Sequence, residues 1–382
     1  MKKSLIALAV MGAFAGGVAH AADSVQLYGV LDMGVERVDN GTNSQTGLGD
    51  GLSATSRIGV KGAEDLGGGL KALFQAEFGF AGGASQNSGL SGRDTYVGLN
   101  GGFGTVLAGR ISSLTDGVVS AYDAFGNSNL GGIAVLGNWG VSDKLITNSS
   151  NNWNAYDPLS RNNTTLAYVS PNFGGFTAGA AYVFANGTYT TNSNNKTGAA
   201  YNLMAKYANG PLSVGGAYMD ANTPEGKDAF KHFILGGSYD LGVVKLFGEY
   251  LQNKMYLANI GVANLGFSPT PSTGFLNGAT ANANGTKYTA WSLGASAPIG
   301  PGSLMVSYGQ GKWNDISSST AKQFSLGYNY ALSKRTSLYA VYQGIQNDDN
   351  AGAQVNNQGV KPSGAAYGKN QNAIGLGITH KF

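Results

Sequence analysis

The chain has 382 residues, of which only 12% are charged, and its 24 Lys and Arg nearly balance its 21 Asp and Glu. Such an even charge balance indicates no nucleic-acid partner, and the absence of cysteine excludes disulfide bonds and thiol chemistry. Soluble domains usually carry about 25% charged residues. The low charged fraction, together with 61 glycines and 20 tyrosines, is therefore unlike an ordinary soluble domain.

The first residues have the pattern of a secretory signal peptide. A lysine pair precedes an apolar run over residues 5–18, and the small-residue cleavage pattern Ala-His-Ala ends at Ala21. Beyond it we find no apolar stretch of the roughly 18 residues that indicate a membrane-spanning helix. We therefore predict a signal peptide over residues 1–21 and one mature domain over residues 22–382.

The mature chain opens with stretches in which apolar and polar residues alternate, which is the pattern of β-strands with one apolar face. The first predicted strand covers residues 25–38, and a polar loop over residues 39–51 leads to a hairpin over residues 53–80. The glycine-rich segment 64–69 supplies the tight turn of that hairpin. Arg57 falls on the polar face of its first strand.

The same alternation continues to the C-terminus and gives sixteen predicted strands in all. The remaining predicted strands are 93–100, 103–111, 162–170, 176–184, 199–208, 212–219, 231–239, 243–253, 288–297, 303–313, 322–331, 336–346 and 372–382. Residues 112–160 interrupt the pattern and are too long for an ordinary connection. They are either an external loop or a loop folded into the interior of the fold.

The connections alternate between short turns and longer loops rich in Asn, Ser and Gly, which is typical of an outer-membrane barrel. An even strand number puts both termini at one end and lets the first strand pair with the last, so no strand edge faces lipid. Aromatic residues near strand ends match the bands at membrane interfaces: Tyr28, Phe80, Tyr182, Phe184, Tyr207, Tyr239, Tyr250 and Tyr330.

We therefore predict an all-β fold, a 16-stranded antiparallel transmembrane β-barrel, in preference to a secreted β-sandwich or β-helix. A barrel of this size is too wide for side chains to fill, so its lumen should hold water.

Several long motifs resemble those of the trimeric porins of Gram-negative outer membranes, in particular the beta-proteobacterial branch. They occur in matching order along the mature chain: SVQLYGVLDMGVE, SRIGVKGAEDLGGGLKALFQAE, RDTYVGLNGGFGTVLAGR, YVSPNFGGF, YALSKRTSLYAVY and ITHKF. The resemblance implies a homotrimer in outer-membrane lipid and lipopolysaccharide, with passive diffusion of small hydrophilic solutes and ions. It also implies that the long third loop folds into the lumen as the constriction, and that the barrel-assembly machinery reads the terminal Phe382.

The resemblance further implies a basic cluster on the barrel wall facing the third loop. The matching motifs carry this cluster onto Arg57, Arg93, Arg110 and Arg161. For Arg57 and Arg110, strand parity by itself favours a side chain that points into the lumen. Arg93 shares its parity with apolar Val97 and Leu99, so its assignment depends on the resemblance.

The third loop departs from the family pattern in its acidic residues. Many general porins carry a Pro-Glu-Phe-Gly-Gly element whose carboxylates oppose the arginines, and this chain has no such element. The nearby acids are Asp116 and Asp123, which we include in the predicted constriction, and Asn129 stands where such porins carry acids. The arginines are therefore less opposed, and we expect a preference for anions.

The residues give little support to an enzyme. His20 leaves with the signal peptide, and His232 and His380 fall near opposite ends of the barrel, which disfavours a Ser-His triad or a two-His metal site. We predict no catalytic residue, cofactor or metal. Two alternatives to a general porin are an outer-membrane barrel enzyme, which the histidine placement and the strand count disfavour, and a substrate-specific channel or adhesin. A preferred solute is compatible with the sequence, because loop residues set any such preference.

Overall fold

The structure is a computed structural model that describes residues 24–80, 91–133, 136, 161–185, 199–222, 226–256, 285–355, 360–363 and 367–382. The predicted signal peptide and much of the third loop lie outside these residues. The chain forms one antiparallel sheet that closes into a barrel, because the first strand segment pairs with the last. In the described residues, no helix has the length and apolar character needed to cross a bilayer.

Within the described residues, the sheet has 17 strand segments, and a helix lies between the sixth and the seventh. The elements are β1 (Ser24–Asp39), β2 (Ser44–Asp50), β3 (Arg57–Gly67), β4 (Leu70–Gly79), β5 (Ser91–Gly101), β6 (Gly104–Ser112), α1 (Leu114–Tyr122), β7 (Arg161–Val169), β8 (Phe176–Val183), β9 (Ala200–Asn209), β10 (Leu212–Asn222), β11 (Asp228–Asp240), β12 (Lys245–Met255), β13 (Thr286–Ile299), β14 (Gly302–Trp313), β15 (Ala321–Ala331), β16 (Thr336–Asn347) and β17 (Gln371–Lys381).

Segments β2 and β3 are two halves of one barrel strand. The C-terminal half of β1 pairs with β2, where Met33 lies opposite Asp50. The N-terminal half of β1 pairs with β3, where Val30 lies opposite Arg57. Residues 51–56 leave the sheet between the two halves. The prediction of a 16-stranded barrel is therefore confirmed.

The prediction of a long loop over residues 39–51 is wrong, because β2 occupies most of it. The sequence does not predict this strand because glycines flank Leu48 on both sides. The two faces of the strand therefore differ little in hydrophobicity. The predicted loop over residues 220–230 is also shorter, since β10 continues to Asn222 and β11 begins at Asp228.

Most strands have an exposed apolar face and a buried, more polar face. In β1, Leu31 and Val35 are 40% and 52% exposed, whereas Asp32 and Glu36 are fully buried. Successive strand residues point to opposite sides, so the exposed apolar face is the outside of the barrel and the other is its inner wall.

Most of the aromatic residues predicted for the interface bands are exposed: Tyr182, Phe184, Tyr207, Tyr239, Tyr250 and Tyr330. The assignment of Tyr28 is wrong. Its position in β1 has the parity of buried Val30 and Asp32, and its hydroxyl donates to Glu77 at 2.9 Å. Tyr28 therefore lies on the inner wall.

Candidate pore constriction

Two of the predicted arginines meet on one carboxylate of the inner wall. Nε of Arg93 lies 2.5 Å from Oε1 of Glu77, and Nε of Arg57 lies 3.5 Å from Oε2 of the same residue. The three side chains are 16%, 20% and 7% exposed, in the order Arg93, Arg57 and Glu77. Nη1 of Arg57 also donates to the carbonyl of Thr55 at 2.9 Å. A single carboxylate thus balances only one of two guanidinium charges.

A break in strand register explains how Arg93 reaches the inner wall. The pairing of β4 with β5 shifts between Ala76 and Phe78, so that Glu77 lies opposite an extra residue of β5. Such a bulge locally interrupts the alternation of faces. Arg93 therefore contacts Glu77 although its parity is that of the exposed Val97.

Arg161 forms a second ion pair beside the first. Its Nε lies 3.3 Å from Oδ1 of Asp94, and the same carboxylate accepts hydrogen bonds from the backbone and the hydroxyl of Ser112. The charge of Arg57 interacts with those of both Arg93 and Arg161. We call Arg57, Arg93, Arg161, Glu77 and Asp94 the arginine cluster; it has three positive and two negative charges.

Arg110 does not belong to this cluster, and its predicted lumen-facing orientation is wrong. It pairs with Thr95 and shares the face of exposed Ala108, whereas Leu107 is only 2% exposed and packs on the inner side. The parity argument failed because the inner wall is apolar at this point. The side chain of Arg110 donates to the carbonyl of Gly92 at 3.0 Å and to Oδ1 of Asn163 at 2.7 Å.

The described part of the third loop begins with helix α1, which the sequence analysis missed. The hydroxyl of Ser113 accepts from the backbone N–H of Asp116 at 3.0 Å and so caps the helix. A serine followed three residues later by an acid is a helix-start signature that the alternation of the neighbouring strands obscured. The buried side of α1 includes Val118 and Tyr122, and the helix contacts strands from β8 to β12.

The two loop acids act within the loop. The carboxylate of Asp123, which is 4% exposed, accepts from the backbone N–H groups of Phe125, Asn127 and Ile133 at 3.2, 2.8 and 3.2 Å. Burial raises the pKa of Asp123, although the three donors oppose the shift. Oδ1 of Asp116 accepts from the side-chain amide of Asn127 at 3.1 Å. The ion pairs that the cluster arginines form are with Glu77 and Asp94 instead.

A row of glycines on the inner wall makes room for the loop. A Cβ atom placed on Gly236 would lie 2.5 Å from Cδ2 of Tyr122, which is closer than real Cβ contacts allow. Four further wall glycines are in similarly close contact with loop side chains: Gly294, Gly309, Gly327 and Gly375. The described part of the loop therefore packs against the inner wall, from the strands beneath α1 to β17.

Residues 51–56, which interrupt the second barrel strand, hold the far end of the described loop. The backbone N–H of Leu130 donates to the carbonyl of Leu52 at 2.9 Å, and the side-chain amide of Asn129 donates to the carbonyl of Gly51 at 2.6 Å. The backbone N–H of Gly51 in turn donates to the carbonyl of Asp32 at 2.9 Å. We call residues 51–56 the latch.

Sequence reasoning missed Glu77, Asp94 and the latch. Glu77 could have been found, because it shares the polar face of its strand and lies opposite Gly59, two residues from Arg57. Asp94 directly follows Arg93, and parity alone places adjacent residues on opposite faces. Only the bulge explains why both side chains belong to the cluster. No local sequence signal distinguishes the latch from a loop.

The two histidines of the mature chain lie apart. His232 is buried on β11, where its Nδ1 contacts Oδ1 of Asn253, and Nδ1 of His380 lies 2.9 Å from the hydroxyl of Thr336. Over the described ranges, no three His, Cys, Asp or Glu side chains are grouped so that they could hold a metal ion.

A closed barrel with an apolar outside and charged side chains inside defines the class of transmembrane β-barrel channels. The chain belongs to the Gram-negative porin family, whose model matches residues 7–350. It is 35% identical over 388 residues to outer membrane porin protein 32 of Delftia acidovorans, covering 100% of both chains. It is 31% identical over 429 residues to an outer membrane porin protein of Bordetella pertussis, again covering 100% of both.

Among solved structures, the chain is similar to an anion-selective porin from Comamonas acidovorans. The two share 32% sequence identity with a TM-score of 0.74, covering 94% of this chain and 100% of the other. The chain is thus an outer-membrane porin, as the sequence motifs predicted.

Proposed function

We propose that the protein lets small hydrophilic solutes and ions diffuse passively through the outer membrane with a preference for anions, and that the arginine cluster forms the selective constriction. One observation carries this proposal: three guanidinium groups share two carboxylates on the inner wall, while Asp123 directs its carboxylate into the loop. The description of a similar structure as an anion-selective porin supports it.

The physical argument concerns the uncompensated charge. Arginine stays protonated at any working pH, so the cluster keeps an excess of one positive charge. Low-dielectric walls concentrate the field of that charge in the aqueous gap between the wall and the loop. Anions are therefore enriched there and cations depleted.

The partners that we propose follow from the family and from the outer surface. The first strands expose large apolar side chains, among them Val25 at 73%, Leu27 at 61% and Val97 at 63%, which suit a subunit interface in a homotrimer. The rest of the outer face would contact outer-membrane lipid and lipopolysaccharide. Phe382 would be read by the barrel-assembly machinery, after removal of residues 1–21 as a signal peptide. Unheated gels or crosslinking that yield only monomer would contradict the trimer.

The conducting function is tested by single-channel recordings in planar bilayers together with liposome swelling. We expect stable open steps without an energy source, and swelling rates that fall smoothly with solute size. Well-folded protein that gives no conductance would contradict the proposal. A single solute that blocks the current at low concentration would instead favour the substrate-specific channel.

A further inference from the structure

Lysines on the outer surface form a row at the end of the barrel opposite the chain termini. Lys231 pairs directly with Lys254 in the strand register, and Lys254 pairs directly with Lys287. These three residues lie on three neighbouring strands, β11 to β13. Like charges directly opposite each other in a sheet are destabilising, so a row of this kind needs a compensating interaction.

The row continues over the next two strands. Lys312 of β14 pairs with Thr289, one step along the same face from Lys287, and Lys322 of β15 pairs with Gln310, one step from Lys312. Lys287, Lys312 and Lys322 are exposed, and Lys231 and Lys254 are half-buried. We call these five residues the lysine belt.

The belt points outward and not into the lumen. Each lysine shares the outer face of its strand with a large exposed aromatic residue that lies further from the strand end joined by the long loop. These aromatic residues, which are 37–42% exposed, are Phe233, Tyr250, Trp291, Tyr308 and Phe324. Aromatic side chains of this kind mark the boundary between the apolar core of a bilayer and its headgroups. The lysines lie on the far side of this aromatic band, near the strand ends joined by the long loops, which in outer-membrane barrels is the external side.

Acidic side chains compensate only part of the belt. Nζ of Lys231 lies 3.4 Å from Asp220 and 3.2 Å from Asp228, and in the described residues it is the one belt lysine that forms an ion pair. Oδ2 of Asp315 accepts from the backbone N–H of Lys287 at 3.3 Å. In the described residues, these three acids thus contact two of the five belt lysines, which leaves the belt with an excess of positive charge.

The geometry of Tyr256 holds two of the lysines in place. Its ring lies 5.7 Å from Nζ of Lys231 and 4.9 Å from Nζ of Lys254, so both ammonium groups face one aromatic ring. A Cβ on Gly285 would lie 3.0 Å from Cε of Lys254, so the stem of Lys254 lies against the bare backbone there. Ammonium groups ordered in this way are suited to a phosphate, which lysine binds as a point charge.

We propose that the lysine belt binds the phosphate groups of lipopolysaccharide in the external leaflet. This inference deepens the lipid contact proposed above and is independent of the pore, because the belt lies on the outer face of β11 to β15. Around the closed barrel, β16 and β17 separate the belt from β1, the first of the strands that we assign to the subunit interface. The belt is therefore accessible to lipid in the proposed trimer.

The test uses the full mature protein in detergent, with lipopolysaccharide as the probe and its dephosphorylated form as the comparison. Near an anionic membrane surface each lysine contributes enough binding free energy that removing two of them should weaken the affinity for lipopolysaccharide about thirtyfold. We therefore expect this loss for K254Q with K287Q. The matched control, K334Q with R335Q, removes two charges from the exposed turn between β15 and β16 and should bind as the native protein does. K254R with K287R keeps both charges and should retain binding.

Several outcomes would overturn the proposal. They are unchanged binding by K254Q with K287Q, an equal loss in the control, or equal native affinity for dephosphorylated lipopolysaccharide. Inorganic phosphate that binds with the same dependence on the belt, while lipopolysaccharide does not, would identify a site for a soluble anion instead. Heat-modifiable gel mobility of the same variants checks that each one folds. Conductance of the same variants tests the pore proposal separately, so a failure of one proposal is distinguished from a failure of the other.

Discussion

Arg57 and Glu77 belong to one ion pair but should affect ion selectivity in opposite directions. The R57Q substitution removes one positive charge from the arginine cluster and leaves Arg93 with Glu77. The E77Q substitution removes the carboxylate that Arg57 and Arg93 share at 3.5 and 2.5 Å. We expect R57Q to lower the preference for anions and E77Q to raise it.

The size of the effect follows from the charge balance. At about 8 Å from the cluster and an effective dielectric constant of about 20, a unit charge acts on a passing ion with about 2 kcal/mol. Screening over one Debye length reduces this energy to about 0.8 kcal/mol. The effect has opposite signs for anions and cations, so each unit of charge should change the anion-to-cation permeability ratio roughly tenfold.

The assay is the zero-current potential across a salt gradient in planar bilayers. The double variant R57Q with E77Q restores the native net charge, so its ratio should return close to the native value. R37Q is the matched control, because Arg37 is exposed and donates to Ser44 and Thr46 near the external rim. A ratio that changes in the same direction for R57Q and E77Q, or as strongly for R37Q, would refute the reasoning.

Three further predictions concern the third loop. N129L removes the 2.6 Å hydrogen bond to Gly51 in the latch, so the loop should loosen and single-channel current noise should increase. G236A places a Cβ 2.5 Å from Tyr122 and should shift α1 and change the conductance, as measured in the same recordings. The pKa of Asp123 is raised in the folded protein, so folding favours the protonated acid. The stability that this provides is fully present below the unfolded pKa of about 4, and it is lost as pH rises through the raised folded pKa. Hydrogen-exchange protection of the Asn127 and Ile133 amides should therefore fall with rising pH.

Each of these predictions has a matched control. The neighbouring G237A places its Cβ 3.3 Å from Val214 on the outer face and should leave conductance unchanged. D123N removes the titrating group, so the protection factors should no longer depend on pH. Because the chain has no cysteine, L52C with L130C added to N129L should restore quiet currents when oxidised but not when reduced. Native noise in N129L alone would contradict the role of the latch.

The barrel was predictable because most strands separate an apolar face from a polar face over many residues. In β1, for example, Leu31 and Val35 face out and Asp32 and Glu36 face in. The prediction failed where that contrast is weak, as around Leu48 in β2, which lies between glycines. Helix α1 was missed because its signal is a short cap at Ser113 and not a long periodic pattern.

The candidate site was less predictable because two strand features interfere with parity. At Arg93 a bulge between β4 and β5 brings the side chain to Glu77 against the expected alternation. At Arg110 the inner wall is apolar, as buried Leu107 illustrates, so the apolar face was mistaken for the lipid face. The compensation of the arginines by Glu77 and Asp94 depends on distances across strands, which no single sequence provides.

The most direct test of the proposed function is the zero-current potential of the native protein across a tenfold gradient of potassium chloride. The arginine cluster carries three positive and two negative charges on the inner wall, so the sign of the potential should report chloride as the more permeant ion. The preference should weaken in concentrated salt, where screening shortens the range of the charges. A potential that reports potassium as the more permeant ion would contradict the assignment of the constriction to this cluster.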